Sequence, residues 1–304
     1  MSARNAGPIA IRAPAKVNLG LEILGRREDG LHEIRTLMAM LDFGDDVLIT
    51  SASNTTVRDV PGVARDTNLI ARAVDAFATT SGIDVRAVIS VTKRVPLAAG
   101  LGGASTDAAA TIYALNCLTD APVSHADLLS LAAGLGSDVP FFLGSPLALS
   151  TGTGTDLTPL DPVPFEVFLI DPGVTIPNKT RSLYASLEER DFSGGSRIDT
   201  AASLLKGSNV PCRDLLANAF DRPLFNLNPE LGALRETLER IDSLAVGTSG
   251  AGPVQYVIPL QDRIEETEHN LRTFLPSHIT IIRTRTRLTP LEVESLAVAG
   301  ATES

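Results

Sequence analysis

The run KRVPLAAGLGGASTDAAATIYALNCL, from Lys93 to Leu118, constrains the fold most: a Gly-rich turn passes directly into good helix formers. Ser105, Thr106 and Asp107 suit the first turn of that helix. Gly100, Leu101, Gly102, Gly103 and Ala104 place four small residues in the turn, so backbone N–H groups can approach an anion unobstructed, and the helix dipole favours negative charge there. A phosphate cradle is the functional reading; a glycine turn packed closely on a neighbour has the same composition. The sixth position of the run that begins at Gly100 is Ser105 and no G-x-x-x-x-G-K-[ST] occurs, so the turn is neither a dinucleotide fingerprint nor a Walker A loop. Asp42-Phe43-Gly44 matches a protein-kinase triplet, but the accompanying loop signatures are missing.

The surrounding pattern is mixed α and β. Apolar runs at Ala10 to Arg12, Val17 to Leu24, Ile34 to Leu41 and Asp46 to Ile49, broken at Gly25, Gly30 and Gly44, predict strands joined by turns. Asp66-Thr67-Asn68 precedes a helical spacing of Leu69, Ala73, Val74 and Phe77 that Gly82 stops. A strand is expected over Val85 to Val91, and a helix after Ser124 with Asp127 as capping partner and an end at Gly134 and Gly136. Gly136 to Pro140 forms a polar turn. Thr151 to Pro164, rich in Thr, Gly and Pro, reads as a connection before an apolar strand at Phe165 to Asp171, which puts a lobe boundary near residue 160. Beyond it, helices are expected at Leu183 to Glu189, Leu231 to Ile241 and Arg263 to Phe274, and strands at Leu244 to Gly247, Val254 to Ile258 and Ile279 to Arg283. The result is a two-lobed α+β chain, residues 1–160 and 161–304.

Charge and composition narrow the partners. Twenty-six basic against 36 acidic residues give a net charge of −10, which repels nucleic-acid phosphates and anionic lipid. Aromatics are only 4%, with no Trp, so stacking platforms for single strands are not expected either. Cys117 and Cys212 form no metal or disulfide pattern, and no apolar run reaches the roughly 18 residues of a membrane span. The start MSARNAGPIAIRAP lacks an apolar core of leader length, and a reducing cytoplasm is the expected setting. The Asn-x-Thr triplets at Asn54 and Asn178 carry no weight there.

Two further sites stand out. Lys16 and Asn18, two apart among apolar residues, share one strand face; a solvated edge lysine is the blander account. Asp138 lies in the polar turn, where helix capping is the commoner role. Together with the Gly-rich turn they supply what phosphoryl transfer requires: a cradle for the nucleotide, a cation beside the transferred group and a carboxylate for the accepting hydroxyl.

In order, APAKVNLGLEILGRREDGLHEI, PLAAGLGGASTDAA, LGSDVPFFLG and TSGAGPVQYV, spanning residues 13 to 257, resemble the motifs of the GHMP small-molecule kinase superfamily. Within it, Gly25 to Glu33 and the GSDVPFF segment are most similar to the branch whose acceptor is a cytidine-diphosphate-linked methylerythritol. The resemblance implies a GHMP-kinase-like fold, with an N-terminal α/β lobe of ribosomal-protein type and a C-terminal ferredoxin-like α+β lobe. It implies ATP as phosphoryl donor to the acceptor's 2-hydroxyl in the non-mevalonate route to isoprenoid precursors, with Mg2+ carried by the nucleotide rather than a protein cage. Lys16 and Asp138 match the catalytic pair, expected to be ion-paired. Pro96 and Gly100 to Thr106 match the phosphate loop, Asn68 and Lys93 the adenine side, and Asn18, His32, Thr180 and Tyr184 the acceptor side, Tyr184 as a ring for the cytosine. A monomer or homodimer is implied. Leu31 stands where the family has Tyr, Gly102 to Asp107 reads GGASTD for GGGSSD, Ala217 to Phe225 matches loosely, and Gln255 and Tyr256 replace residues usual in that strand. Another alcohol as acceptor, or a nucleotide-binding member without catalysis, stays open at this point. Arg283, Arg285 and Arg287 alternate with threonines and are expected to be a solvated strand edge.

Overall fold

The structure, a computed structural model, describes residues 8–295 apart from 62, 65–66, 120–121 and 208–209. The expectations that fall on the first seven residues and on Asp66 lie outside the described residues. In chain order the first elements are β1 (Ile9–Arg26), β2 (His32–Ser51), β3 (Thr56–Val57), α1 (Leu69–Ser81), β4 (Ala87–Thr92), α2 (Gly103–Leu118) and α3 (His125–Leu135). A 3-10 turn at Pro140–Leu143, β5 (Leu147–Thr151) and β6 (Asp156–Leu160) follow. Then come β7 (Glu166–Asp171), α4 (Lys179–Ala185), α5 (Ser196–Lys206), α6 (Asp221–Leu227), α7 (Pro229–Glu239), β8 (Ala245–Thr248) and β9 (Gln255–Ile258). The last are α8 (Ile264–Phe274), β10 (Thr280–Arg285) and β11 (Val293–Ser295).

Among the described residues the strands form two sheets. The first, seven-stranded, runs β11-β1-β2-β4-β3, with β5 and β6 continuing from another stretch of β2; the second runs β10-β7-β9-β8. The C-terminal strand β11 returns to pair with β1, Ile11 opposite Val293. Helices α1 to α3 cover the first sheet over a core that includes Ile11, Met40, Phe77, Ile112 and Phe141. The second sheet is buried on both faces. Val167, Leu169 and Tyr256 point to a core shared with Val17, Leu37 and α5. Phe168, Ile170 and Val257 meet Leu234 and Leu238 of α7 and Leu271 of α8. That alternation is the period-two signature of a strand buried on two sides.

Local signals hold where caps decide. Asn68 accepts from the Ile70 amide and Gly82 ends α1 at φ 68°; Ser124 caps α3 through the Asp127 amide. Elsewhere the structure corrects the sequence. The four runs expected between Ile9 and Ser51 are one long hairpin: of the three glycines, only Gly30 lies in its turn. Gly44 is instead a close approach, since a Cβ there would run into the Ala13 backbone. The supposed connection at Thr151 to Pro164 contains β6, paired with β5 from Leu147↔Leu160 to Thr151↔Asp156; Pro159 is tolerated because β6 pairs on one side only. The helix expected at Leu183 starts earlier, at Lys179, and the Gly/Ser cluster before Arg197 opens α5, whose Ile198, Ala201, Ala202 and Leu205 are buried.

The arginine stripe lies on edge strand β10. Arg283 pairs with Glu166, Glu265 and Glu268 at 3.2, 2.8 and 3.1 Å, and Arg285 with Asp42 at 2.7 Å. Arg287, beyond the strand, donates to the Thr289 and Pro290 carbonyls. The edge reading accounts for Arg283 and Arg285; Arg287 lies past the strand end. No helix among the described residues is long and apolar enough to cross a membrane.

Candidate active site

Strand β1 supplies the cation. Lys16 and Asn18 are each 4% exposed on the same face, and the Lys16 ammonium donates to the Asn18 amide oxygen. Asn18 is held in turn: its Nδ2 donates to Thr36 Oγ1 at 3.0 Å, and its backbone N–H donates to Ser249 Oγ at 3.3 Å. Lys16 Nζ lies 3.5 Å from Asp138 Oδ2. Asp138 itself is half-buried in the turn before the Pro140–Leu143 segment, whose four residues are all buried and anchor it.

The Gly-rich loop packs directly on this pair. The Lys16 N–H donates to the Leu101 carbonyl at 2.9 Å. Gly102 has φ +74°, and a Cβ on it would sit 2.7 Å from Phe142 Cζ and 3.0 Å from Lys16 Cγ. Both the conformation and the space demand glycine there. Gly103 opens α2, so Ser105 and Thr106 fall in its first turn, as an anion cradle requires. Pro96 is half-buried where the chain enters the loop.

The turn that carries Asp138 adjoins, through Ser137, a cavity of about 530 Å³ whose lining also includes Arg26, Leu31, His32, Arg181 and Tyr184. His32 and Tyr184 stack at 4.9 Å between centroids, and Phe220 meets Tyr184 edge-on. Burial, with Arg26 nearby, lowers the His32 pKa from its ordinary 6.5, and its Nε2 has no hydrogen-bond partner. Burial and the Asp138 charge push the Tyr184 hydroxyl up to about 12, so the aromatic wall and the carboxylate are electrostatic neighbours. Leu31 is 54% exposed at the rim. Thr180, exposed on α4, borders a second cavity with Ala98, Gly100 and Lys179.

Two expected residues have other employment. Lys93 Nζ is locked between Asp45 at 2.5 Å and Asp107 at 2.8 Å, under the first turn of α2. Asn68 caps α1 and lines a separate pocket with Thr56, Asp59 and Asp75. In this structure neither side chain joins the Lys16–Asp138 group.

Sequence reasoning missed three residues that build the site. Ser249 Oγ donates to the Gly100 carbonyl at 2.9 Å, and buried Asn218 donates to the Thr248 and Gly250 carbonyls at 2.9 and 2.8 Å. Lys179, 7% exposed, reaches the loop from α4. Ser249 lies inside the recognised TSGAG segment and Asn218 inside the loosely matching one; Lys179 carried no local signal. Gln255, unusual for its strand, is explained: fully buried, it accepts from Arg235 at 2.8 Å and donates to the Leu231 carbonyl at 2.8 Å.

Comparison with known proteins fits this geometry. Residues 68–145 match the GHMP kinases N terminal domain and residues 200–277 the GHMP kinases C terminal domain. A 4-diphosphocytidyl-2-C-methyl-D-erythritol kinase from Xanthomonas axonopodis pv. citri is 37% identical over 244 residues, 79% of each chain. The chain belongs to the GHMP kinases. These are ATP-dependent small-molecule kinases with the two-lobed α+β fold seen here. The 4-diphosphocytidyl-2-C-methyl-D-erythritol kinase of Symbiobacterium thermophilum is 36% identical over 256 residues, 82% of this kinase and 90% of that one. A crystal structure of 4-(cytidine 5'-diphospho)-2C-methyl-D-erythritol kinase superposes with a TM-score of 0.77 at 31% identity, covering 91% of this chain and 98% of that one. Homoserine kinase from Cytophaga hutchinsonii shares the fold, with a TM-score of 0.73 at 18% identity over 97% and 99% of the two chains.

Proposed function

We propose that this kinase transfers the γ-phosphoryl group of ATP to the 2-hydroxyl of 4-diphosphocytidyl-2-C-methyl-D-erythritol. The observation that supports the reading is that the Lys16–Asp138 pair touches the Gly-rich loop through Lys16 and adjoins, through Ser137, the cavity walled by His32 and Tyr184. The loop amides and the α2 N-terminus receive the nucleotide phosphates. Asp138 holds or accepts the proton of the attacking hydroxyl, and Lys16 balances the charge that develops on the transferred group. Positioning then contributes more than proton abstraction.

His32, which burial biases toward its neutral form, walls the acceptor cavity, and the Tyr184 ring lies beside it for stacking on the cytosine. Asn18 and Thr180 flank the acceptor. Asn68 and Lys93 serve the adenine side through the elements they fix, α1 and the first turn of α2. Among the described residues no cluster of three or more His, Cys, Asp or Glu forms a metal cage. Mg2+ would arrive with the nucleotide, and the Ser105 hydroxyl at the start of α2 is the protein oxygen that would help hold it. When bound, the ion neutralises charge on the transferring phosphates. We place the division of labour near residue 160, nucleotide before and acceptor after, in a cytoplasmic monomer or homodimer.

A coupled ADP-release assay tests this with Mg-ATP and a panel of 4-diphosphocytidyl-2-C-methyl-D-erythritol, homoserine, mevalonate and galactose. Selective turnover of the cytidyl alcohol is expected. Preferential turnover of another alcohol would refute the acceptor assignment, and inactivity with all would refute the catalytic reading.

A further inference from the structure

Lys179 is a buried cation that the transfer chemistry leaves without a task. It opens α4 after Asn178, which holds a left-handed φ of 51°. Its Nζ donates to the Ala98 carbonyl at 2.6 Å and to the Gly252 carbonyl. Ala98 begins the phosphate loop and is itself left-handed, with φ 54°. That conformation is unfavourable for a residue with a Cβ and persists only where the surroundings hold it.

The next two carbonyls are held as well. Ala99 accepts from the Val254 N–H at 3.3 Å and Gly100 from Ser249 Oγ at 2.9 Å. Three successive carbonyls of the loop entry are thereby drawn to one seam, formed by the turn between β8 and β9 and by the start of α4. In a trans peptide the C=O and N–H point in opposite directions. Fixing the carbonyls of Ala98, Ala99 and Gly100 therefore turns the amides of Ala99, Gly100 and Leu101 away from the seam, as an anion cradle requires.

We propose that Lys179 is a positioning residue that keeps the phosphate loop in its anion-accepting form by clamping the Ala98 and Gly252 carbonyls together. An ammonium suits the task because it has three donors and no acceptor. The proposal rests on the reading of this loop as the ATP-phosphate site. Burial, and then the charge of Lys16, push the Lys179 pKa down to about 8. Lys16 faces it from β1; the loop entry and the β8–β9 turn present backbone carbonyls, and Arg181 follows on α4. The clamp is charged at neutral pH and loses its charge as pH rises through that value, and a neutral amine is the weaker donor.

Direct ADP binding by calorimetry tests the clamp without an acceptor, so it stands even if the cytidyl alcohol proves not to be the substrate. Lys179→Met is expected to weaken ADP binding about tenfold or more, the loss of a charge-assisted hydrogen bond, with the acceptor KM unchanged. Lys179→Arg should restore most of that affinity. Wild-type affinity should fall between about pH 7.5 and 9, while the arginine variant stays level because its guanidinium keeps its proton. A lowered melting temperature in Lys179→Met with unchanged ADP affinity would mean mere structural support and overturn the proposal. A wild-type profile flat across that window, or a defect confined to the acceptor KM, would overturn it too. Should Lys179→Met fail to fold, the wild-type profile and the arginine variant decide the matter.

Discussion

Lys16 divides one buried charge between a neutral and an ionised oxygen, Asn18 Oδ1 and Asp138 Oδ2. Removing a lysine from such a place would leave Asp138 without its cation and damage both fold and chemistry. The carboxylate, less buried, is the cleaner probe. Asp138→Asn preserves shape and removes the proton acceptor, so single-turnover transfer should fall by about 10²–10⁴-fold, the usual range for a general acid–base group. ADP affinity should hold, because the loop amides are untouched. Transfer near the wild-type rate would remove Asp138 from its role. Gly102 sets a second constraint at this scale: alanine there meets Phe142 and Lys16 at a φ of +74°. Gly102→Ala should cost about 1–3 kcal/mol in urea unfolding and depress turnover by displacing Lys16.

At the scale of the element, α2, whose N-terminus we propose receives the nucleotide phosphates, buries a carboxylate, Asp107, just beyond its first turn. Burial raises that carboxyl to about 7, which Lys93 opposes and Asp45 reinforces. Two acids facing one lysine leave the cluster a proton short of neutrality. An unfolded carboxyl titrates near 3.9, so between about pH 4 and 7 the folded state holds more protons and this group's contribution to stability declines as pH rises. Asp107→Asn imitates the protonated form. Relative to wild type, its urea midpoint should be more favourable at pH 8 than at pH 5; an identical difference at both would show that Asp107 is ionised throughout. Helix caps at this scale were legible: Asn68, Gly82 and Ser124 act within four residues of themselves. Gly25 and Gly44 misled: Gly25 lies inside β1 at a register shift against β2 and Gly44 allows a close approach of the Ala13 backbone, yet in sequence each looks like a glycine that ends a strand.

For the whole molecule, the net charge of −10 makes each local concentration of arginine conspicuous. On β10 the stripe is spent on acids: Arg283, 36% exposed, answers three glutamates. Exposed pairs of this kind contribute little, so Arg283→Ala should lower stability by at most about 1 kcal/mol, less in high salt, and leave kcat unchanged. A marked loss of turnover would reveal a functional anion site that the geometry does not support.

By itself the sequence determined what depends on near neighbours. Period two put Lys16 and Asn18 on one face, and the glycines and helix formers from Gly100 onward fixed a loop opening onto a helix N-terminus. Only the tertiary structure decided what those residues meet. Asn18 finds Ser249 across 231 positions, and β11 closes on β1 from the far end of the described chain. Lys179, ordinary in its own segment, becomes a clamp only where α4 packs against the loop. Backbone preferences act over a turn or two, whereas such encounters are selected by burial of whole faces, which no local pattern encodes.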